Sequence, residues 1–160
     1  MEKKDYFNKE YNYIKDSKKQ EDLKYLVNNL PDYFFEVPAS STGKYHPEFA
    51  STTHGLVKHT KLAVRIAYEL LDNSGLNNFT DNEKDIIIMA LILHDGFKSG
   101  KVQEKYTRFD HPLLVCDFIR EHSSNLSLTS GEIDLLTNVI SSHMGIWNKD
   151  YNGNEVLPIP

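Results

Sequence analysis

A single cysteine among 160 residues, Cys116, excludes any intrachain disulfide. It sits in the apolar run Leu113-Leu114-Val115-Cys116 and reads as a core residue rather than a nucleophile. The Lys/Asp/Glu-rich start has no signal-peptide hydrophobic stretch, so a reducing compartment, the cytoplasm, is expected. No apolar run approaches the roughly 20 residues that span a bilayer, so no membrane segment is expected. Glycine and proline are scarce, 8 and 6 residues, which leaves little sequence for long irregular loops. Positive charge is also short. Eighteen Lys and Arg face 23 Asp and Glu, and a net charge of −5 argues against non-specific binding to a nucleic-acid backbone. A small anionic substrate stays compatible with this balance where positive charge is concentrated locally. No stretch alternates with period two for long enough to build a sheet.

What remains is helical. With 39% apolar and 26% charged residues the composition is that of a globular chain, and the length suits one domain. Residues 1–30 read as one or two amphipathic helices ended by Pro31. Residues 31–53, with Tyr33, Phe34, Phe35, Tyr45 and Phe49, read as a loop pinned to the core by aromatics. Residues 54–74 carry Leu62, Ala63, Ile66, Ala67, Leu70 and Leu71 at helical spacing and end at Asn73-Ser74-Gly75. Thr80-x-x-Glu83 is a capping box that opens a helix, apolar all round from Ile86 to Leu93, which stops at Gly96. Residues 97–109 are irregular. Asp110 is a candidate N-cap for a helix to about His122, with Pro112 tolerated in its first turn. A second capping box, Thr129-x-x-Glu132, starts a helix to about Met144, and a turn-like tail follows. These elements predict an all-α bundle in one domain: N-terminal helices and the aromatic loop over 1–53, the histidine-bearing helices over 54–145, and a turn-like tail over 146–160.

The histidines are unevenly placed on those helices. His59 shares a stripe with Leu62, Ile66 and Leu70. His94 closes Ile87, Ala90 and Leu91, and His143 closes Ile133, Leu136 and Ile140. Each imidazole is thus expected on the buried face of its helix. His111, at a helix start, can turn inward from the end of the bundle. A buried imidazole needs a partner for each ring nitrogen, and Asp95, directly after His94, adds a carboxylate that is costly to bury unless paired or coordinating a metal. Two readings follow from the residues alone: a metal site inside the bundle, or a hydrogen-bonded polar core.

The His94-Asp95 doublet, with His59 35 residues before it, resembles the HD superfamily of metal-dependent phosphohydrolases. Gly55-Leu56-Val57-Lys58-His59-Thr60 is similar to the first motif of that family, and Leu91-Ile92-Leu93-His94-Asp95-Gly96-Phe97-Lys98-Ser99-Gly100 to the central one. Asp110-His111-Pro112 and Ser142-His143-Met144-Gly145 resemble the two further histidine motifs of its dinuclear subset. The segment from Val37-Pro38-Ala39-Ser40 through Tyr45-His46-Pro47 further resembles small HD proteins of bacteriophages and low-GC bacteria.

The resemblance implies an HD-type helical bundle. In it His59, His94 and Asp95 hold one metal, and Asp95 bridges to a second held by His111 and His143. It also implies a last ligand, an Asp on a further helix beyond the final His. Here the only aspartate after His143 is Asp150, seven residues on and among turn residues, so one protein ligand is expected to be missing. Four imidazoles and one carboxylate are too nitrogen-rich for magnesium alone and suit Mn, Fe, Co, Ni or Zn. Two such ions roughly 3.5–4 Å apart can activate water and clamp a phosphate. Positive charge beyond the metals is expected from Lys98, Lys101, Lys105 and Arg108, opposed only by Glu104. Of these Lys98, three residues past Asp95, is the foremost candidate for a phosphate oxygen. His46 is a candidate for contacting substrate or protonating a leaving group, against packing on the loop tyrosines. His54 and His122 read as surface or turn residues. Trp147 and Tyr151 read as tail packing, with stacking on a base as the alternative.

The expected function is hydrolysis of a phosphoester in a nucleotide or nucleotide-derived molecule, in nucleotide-pool turnover or removal of a nucleotide signal if the phage likeness extends to role. Two alternatives belong to other classes. Some HD-fold proteins with a similar ligand set hold two irons and are oxygenases. The missing Asp also fits a nucleotide-binding module that turns nothing over.

Overall fold

Thr80 and Thr129 both close the reciprocal caps their spacing calls for. The Glu83 N–H donates to the Thr80 hydroxyl at 3.1 Å while the Thr80 N–H donates to the Glu83 carboxylate at 2.8 Å. Glu132 and Thr129 repeat the exchange at 3.2 and 2.9 Å. Each cap satisfies two backbone donors that a helix start otherwise leaves unpaired. The computed structural model describes residues 1–40 and 48–160, with Phe49 by its backbone alone. Among the described residues are five α-helices: α1 (Ser17–Asn28), α2 (Gly55–Asp72), α3 (Asp81–Leu93), α4 (His111–Glu121) and α5 (Ser130–Ser141). Short 3₁₀ stretches precede α1 at Lys3–Phe7 and Glu10–Tyr13 and follow it at Asp32–Phe35. No strand occurs among the described residues beyond an isolated bridge from Lys149 to Glu155. The chain is all-α, as its patterning predicts.

Helix α3 is the centre of the bundle. Ile86, Ile88, Met89, Ala90, Ile92 and Leu93 are all buried, which is why an apolar run without polarity of face forms a stable helix here. It packs against α2 on one side and α5 on the other, and α5 carries α4 in turn. Burial of each large aliphatic chain contributes roughly 1.5–3 kcal/mol. Two buried carboxylates tie remote segments to this core. Asp85 accepts the Lys15 and Asp16 N–H groups at 2.9 and 3.1 Å, fixing the approach to α1 against α3. Asp22 accepts the Ser127 N–H at 3.0 Å and its hydroxyl at 2.7 Å, fixing α1 to the α4–α5 connection. Tyr33, Phe34 and Phe35 are buried, and Phe34 stacks on Phe7, so the aromatic loop is anchored where it is described. Gly55 opens α2 so close to Ala50 that a Cβ there would lie 1.9 Å from the Ala50 carbonyl oxygen. This close approach brings the first motif against the preceding loop.

Three local expectations are corrected. The stripe His59, Leu62, Ile66 and Leu70 is not the buried face of α2: His59 is half-buried and the three leucine and isoleucine side chains are 43, 51 and 53% exposed, whereas Leu56, Val57, Thr60, Val64 and Leu71 are buried. At about 100° per residue the exposed stripe lies roughly 140° around the helix from the buried one. Helix α5 ends at Ser141, so His143 stands beyond the helix rather than in it. Asp110 takes the N-cap position of α4 as expected but makes no side-chain cap, because both its oxygens accept from Arg108. No helix among the described residues is long and apolar enough to cross a membrane.

Candidate metal centre

Helix α3 delivers its last apolar side chain at Leu93 and hands the chain to His94, whose N–H still donates to the Ala90 carbonyl at 2.8 Å. The doublet therefore stands at the C-terminal end of the most buried helix. Asp95 is 6% exposed and His111, the first residue of α4, is 2% exposed. His94 is half-buried and His143 is exposed at the mouth. The two Asp95 oxygens face different imidazoles: Oδ2 lies 3.3 Å from His94 Nε2, and Oδ1 lies 3.1 Å from His111 Nε2. His94, Asp95 and His143 each bring a ligand atom within 4.8 Å of the other two. The His143 ring lies edge-on to both other imidazoles, with centroids 5.0 Å from His94 and 5.4 Å from His111.

The same second contact recurs in all three rings. His94 Nδ1 donates to the Leu91 carbonyl at 2.6 Å, His111 Nδ1 to Arg108 at 2.5 Å and His143 Nδ1 to Ile140 at 2.5 Å. A carbonyl oxygen can only accept, so the proton is on Nδ1 and a neutral ring presents a lone pair at Nε2. A backbone carbonyl on the far nitrogen is the usual arrangement behind a metal-ligating histidine. Donors about 2.0–2.2 Å from one ion are separated by roughly 3.0–3.5 Å, and the two Nε2–carboxylate distances fall within that interval. The donor set and its spacing fit a transition metal.

Electrostatics bind the cluster together. Burial alone would raise the Asp95 pKa, but His94, His111 and Lys98 outweigh it and hold the carboxyl well below the usual range. Burial alone would lower His94, and the Asp95 charge outweighs it and raises that imidazole. His143 goes the other way, pushed down by burial and by the neighbouring His94.

The loop after the doublet is held by Tyr33, a residue expected only to pack against the core. The buried Tyr33 hydroxyl accepts the Ser99 N–H at 3.0 Å and donates to the Gly100 carbonyl at 2.6 Å. Burial pushes this phenol up to about 12, so it remains a donor. Lys98 is mostly buried. Its ammonium donates to the Ala39 carbonyl at 2.7 Å and stands 3.9 Å from Asp95 Oδ2. It lines a cavity of about 200 Å³ with Ala39, Leu56, Glu104, Lys105 and Thr107.

The other expected residues divide. His59 is half-buried on α2 and is not in the group formed by His94, Asp95 and His143. His143, expected with His111 on the far side of Asp95, is grouped instead with His94 and Asp95, and His111 is not in that group. Lys101 pairs with Glu121 at 3.8 Å, and the Arg108 guanidinium is divided between Asp110 and Glu104. The positive charge of this loop is therefore largely neutralised locally. What Arg108 gives the centre directly is its carbonyl, on His111. His46 and Tyr45 lie outside the described residues. Asp150 is committed to the tail, where Oδ1 accepts the Asn152 and Asn154 N–H groups at 2.8 and 2.9 Å. Tyr151 donates to Asp117 at 2.7 Å, in keeping with tail packing. The Cys116 thiol is buried, donates to the Thr137 carbonyl at 3.2 Å and is pushed up to about 12 by burial, as a core thiol should be. Against known proteins, no family model, curated sequence or solved structure matches this chain.

Proposed function

We propose that this chain is a metal-dependent phosphohydrolase of the HD type, acting on a nucleotide or nucleotide-derived phosphoester. One observation carries the reading. Two imidazoles whose Nδ1 protons are engaged by backbone carbonyls aim their Nε2 atoms at the two oxygens of one buried aspartate. Lone pairs aimed at a carboxylate repel it unless protons or a cation lie between them, and divalent metal ions beside the carboxylate would meet that need. His94, Asp95, His111 and His143 would hold one or two ions of Mn, Fe, Co, Ni or Zn, with His59 joining from α2. Ions of this kind lower the pKa of bound water and neutralise phosphate charge.

The chain's own residues supply the remainder. Asp95 offers one oxygen to each side of the cluster, so it fixes the two sides relative to each other. Lys98 spends one of three ammonium donors on Ala39 and keeps others for a phosphate oxygen arriving beside Asp95. The Tyr33 clamp holds the backbone that carries Lys98. The test is to purify the chain without chelator, measure its metals, and screen nucleotides, p-nitrophenyl phosphate and bis-p-nitrophenyl phosphate with added manganese. Metal-dependent phosphoester cleavage is the expected outcome. Iron-dependent oxygen uptake without cleavage would make it an oxygenase, and metal-dependent nucleotide binding without turnover would make it a binding module.

A further inference from the structure

Two chain segments meet at the mouth of the cluster, and they meet twice. The inner contact is His111 against His143, with centroids 5.4 Å apart. The outer one is Phe109 against Trp147, with centroids 6.2 Å apart and planes 26° from parallel. Phe109 lies two residues before His111, and Trp147 four after His143. Two residues of chain span at most about 7 Å, so the backbone that carries Phe109 lies within that distance of the backbone that carries His111. Yet Phe109 is 69% and Trp147 56% exposed. Large rings left in water on both of two touching segments form an apolar surface that the bundle itself does not use.

The backbone under both rings is tightly held. Before Phe109, the Arg108 N–H donates to the Lys98 carbonyl at 2.9 Å, and the Arg108 guanidinium grips Asp110 on the other side of Phe109 at 2.7 and 2.8 Å. Beneath Trp147, the buried Asn148 side chain accepts the Met144 N–H and donates to the Ser142 carbonyl, both at 2.6 Å. Gly145, at φ +61°, permits the turn that this asparagine closes. Two surface rings are thus presented from rigid supports, as a preorganised contact requires.

We propose that Phe109 and Trp147 form a stacking subsite for the planar heteroaromatic ring of a phosphorylated small molecule, a nucleobase in a nucleotide, whose phosphate lies at the histidine–aspartate cluster. This rests on the phosphohydrolase reading for the position of the phosphate, but not for the existence of the ring site. Stacking of a base on an aromatic side chain changes affinity about five- to hundredfold on removal of that side chain.

Trp147 is the only tryptophan, so the chain's fluorescence reports directly on this subsite. The experiment titrates the protein, excited at 295 nm, with AMP, GMP, CMP and UMP, and with ribose 5-phosphate as the probe lacking a base. Phosphate release is followed in parallel. Quenching by at least one nucleotide and not by ribose 5-phosphate is expected, with its midpoint weakened about tenfold in Phe109→Ala and restored in Phe109→Tyr. Unchanged melting temperature in Phe109→Ala separates lost stacking from lost fold. No quenching by any nucleotide, or an unchanged midpoint in a folded Phe109→Ala, would overturn the subsite even if phosphate were released. Base-dependent quenching, with no manganese-dependent cleavage of these monoesters or of the diester bis-p-nitrophenyl phosphate, would uphold the subsite and overturn the hydrolase reading instead.

Discussion

His111 aims its Nε2 at Asp95 Oδ1 from 3.1 Å, across sixteen residues of sequence and from a different helix. Both groups are buried. This contact joins the start of α4 to the end of α3, and with the His94 contact on Oδ2 it places Asp95 between two imidazoles. Asp95 is therefore the shared member of the cluster, and its loss should be felt on both sides at once.

Asp95→Ala should abolish metal retention and hydrolysis together, since it removes the one anion among three imidazoles. Lys98→Ala should keep the metal and lower activity by roughly ten- to hundredfold, the scale of an outer group that supports a site without ligating it. Elemental analysis and initial rates on the same preparations check both. Equal and mild losses from the two substitutions would mean that Asp95 serves the fold rather than the chemistry.

A chelator should lower the melting temperature. Metal that binds only the folded chain stabilises it by mass action, by about 2.7 kcal/mol at a hundredfold excess over Kd. For a chain of this size that corresponds to roughly 5–10 °C. Thermal melts with EDTA, after dialysis, and after return of Mn²⁺ or Zn²⁺ measure the shift. Superimposable curves in all three conditions would count against a metal centre.

Away from the centre, Lys19 is buried between Glu132 at 2.8 Å and Asp16 at 3.0 Å. Its ammonium, with the Thr129 N–H, holds the Glu132 carboxyl below its ordinary 4.5. A carboxyl lowered in the folded state contributes stability above its unfolded pKa, and this is lost as pH falls through the folded value. Stability should therefore drop below about pH 4.5. Lys19→Met should flatten that part of the curve and cost about 1–3 kcal/mol at pH 7, the scale of charged hydrogen bonds removed from a buried site. Urea denaturation between pH 3 and 7 compares the two proteins. Parallel curves would show that the ion pair contributes nothing in this window.

The sequence made the helices legible because their signals are local. Thr80-x-x-Glu83 and Thr129-x-x-Glu132 each marked a helix start to the residue. His94, Asp95, His111 and His143 were legible because motif spacing on three elements brings them together. The orientation of α2 was not. Its two apolar stripes, Leu56/Val57/Val64/Leu71 and Leu62/Ile66/Leu70, both satisfy helical periodicity, and only tertiary packing decides which is buried. Tyr33 and Asn148 were illegible for a different reason. Their partners, Ser99 and Gly100 for one and Ser142 and Met144 for the other, are backbone groups that leave no mark on residue type. The charge of the 97–109 loop was overread, because pairing of Arg108 with Asp110 just past that loop and of Lys101 with Glu121 further on is invisible in a local count.

Asp150 supplies the last test, because it is the one aspartate after His143. Its carboxylate is occupied in the tail: Oδ1 takes the Asn152 and Asn154 N–H groups, and Oδ2 takes the Asn154 side-chain amide at 3.3 Å. It borders a groove with Cys116, Arg120, Thr137 and Ser141, along α4 and α5. An asparagine in its place keeps an oxygen for both backbone N–H groups and loses the charge and the longer bond from the Asn154 amide. Asp150→Asn should therefore leave metal content, metal affinity and hydrolysis within twofold, a change below about 0.5 kcal/mol. Asp150→Ala should loosen the 150–154 turn by about 0.5–2 kcal/mol, as loss of a side-chain acceptor for backbone N–H groups does at a helix cap, again without changing the metal. Metal titration by calorimetry on both variants distinguishes the roles. A large fall in affinity with Asp150→Asn, where the turn is preserved, would place this carboxylate in the metal centre and overturn its assignment to the tail.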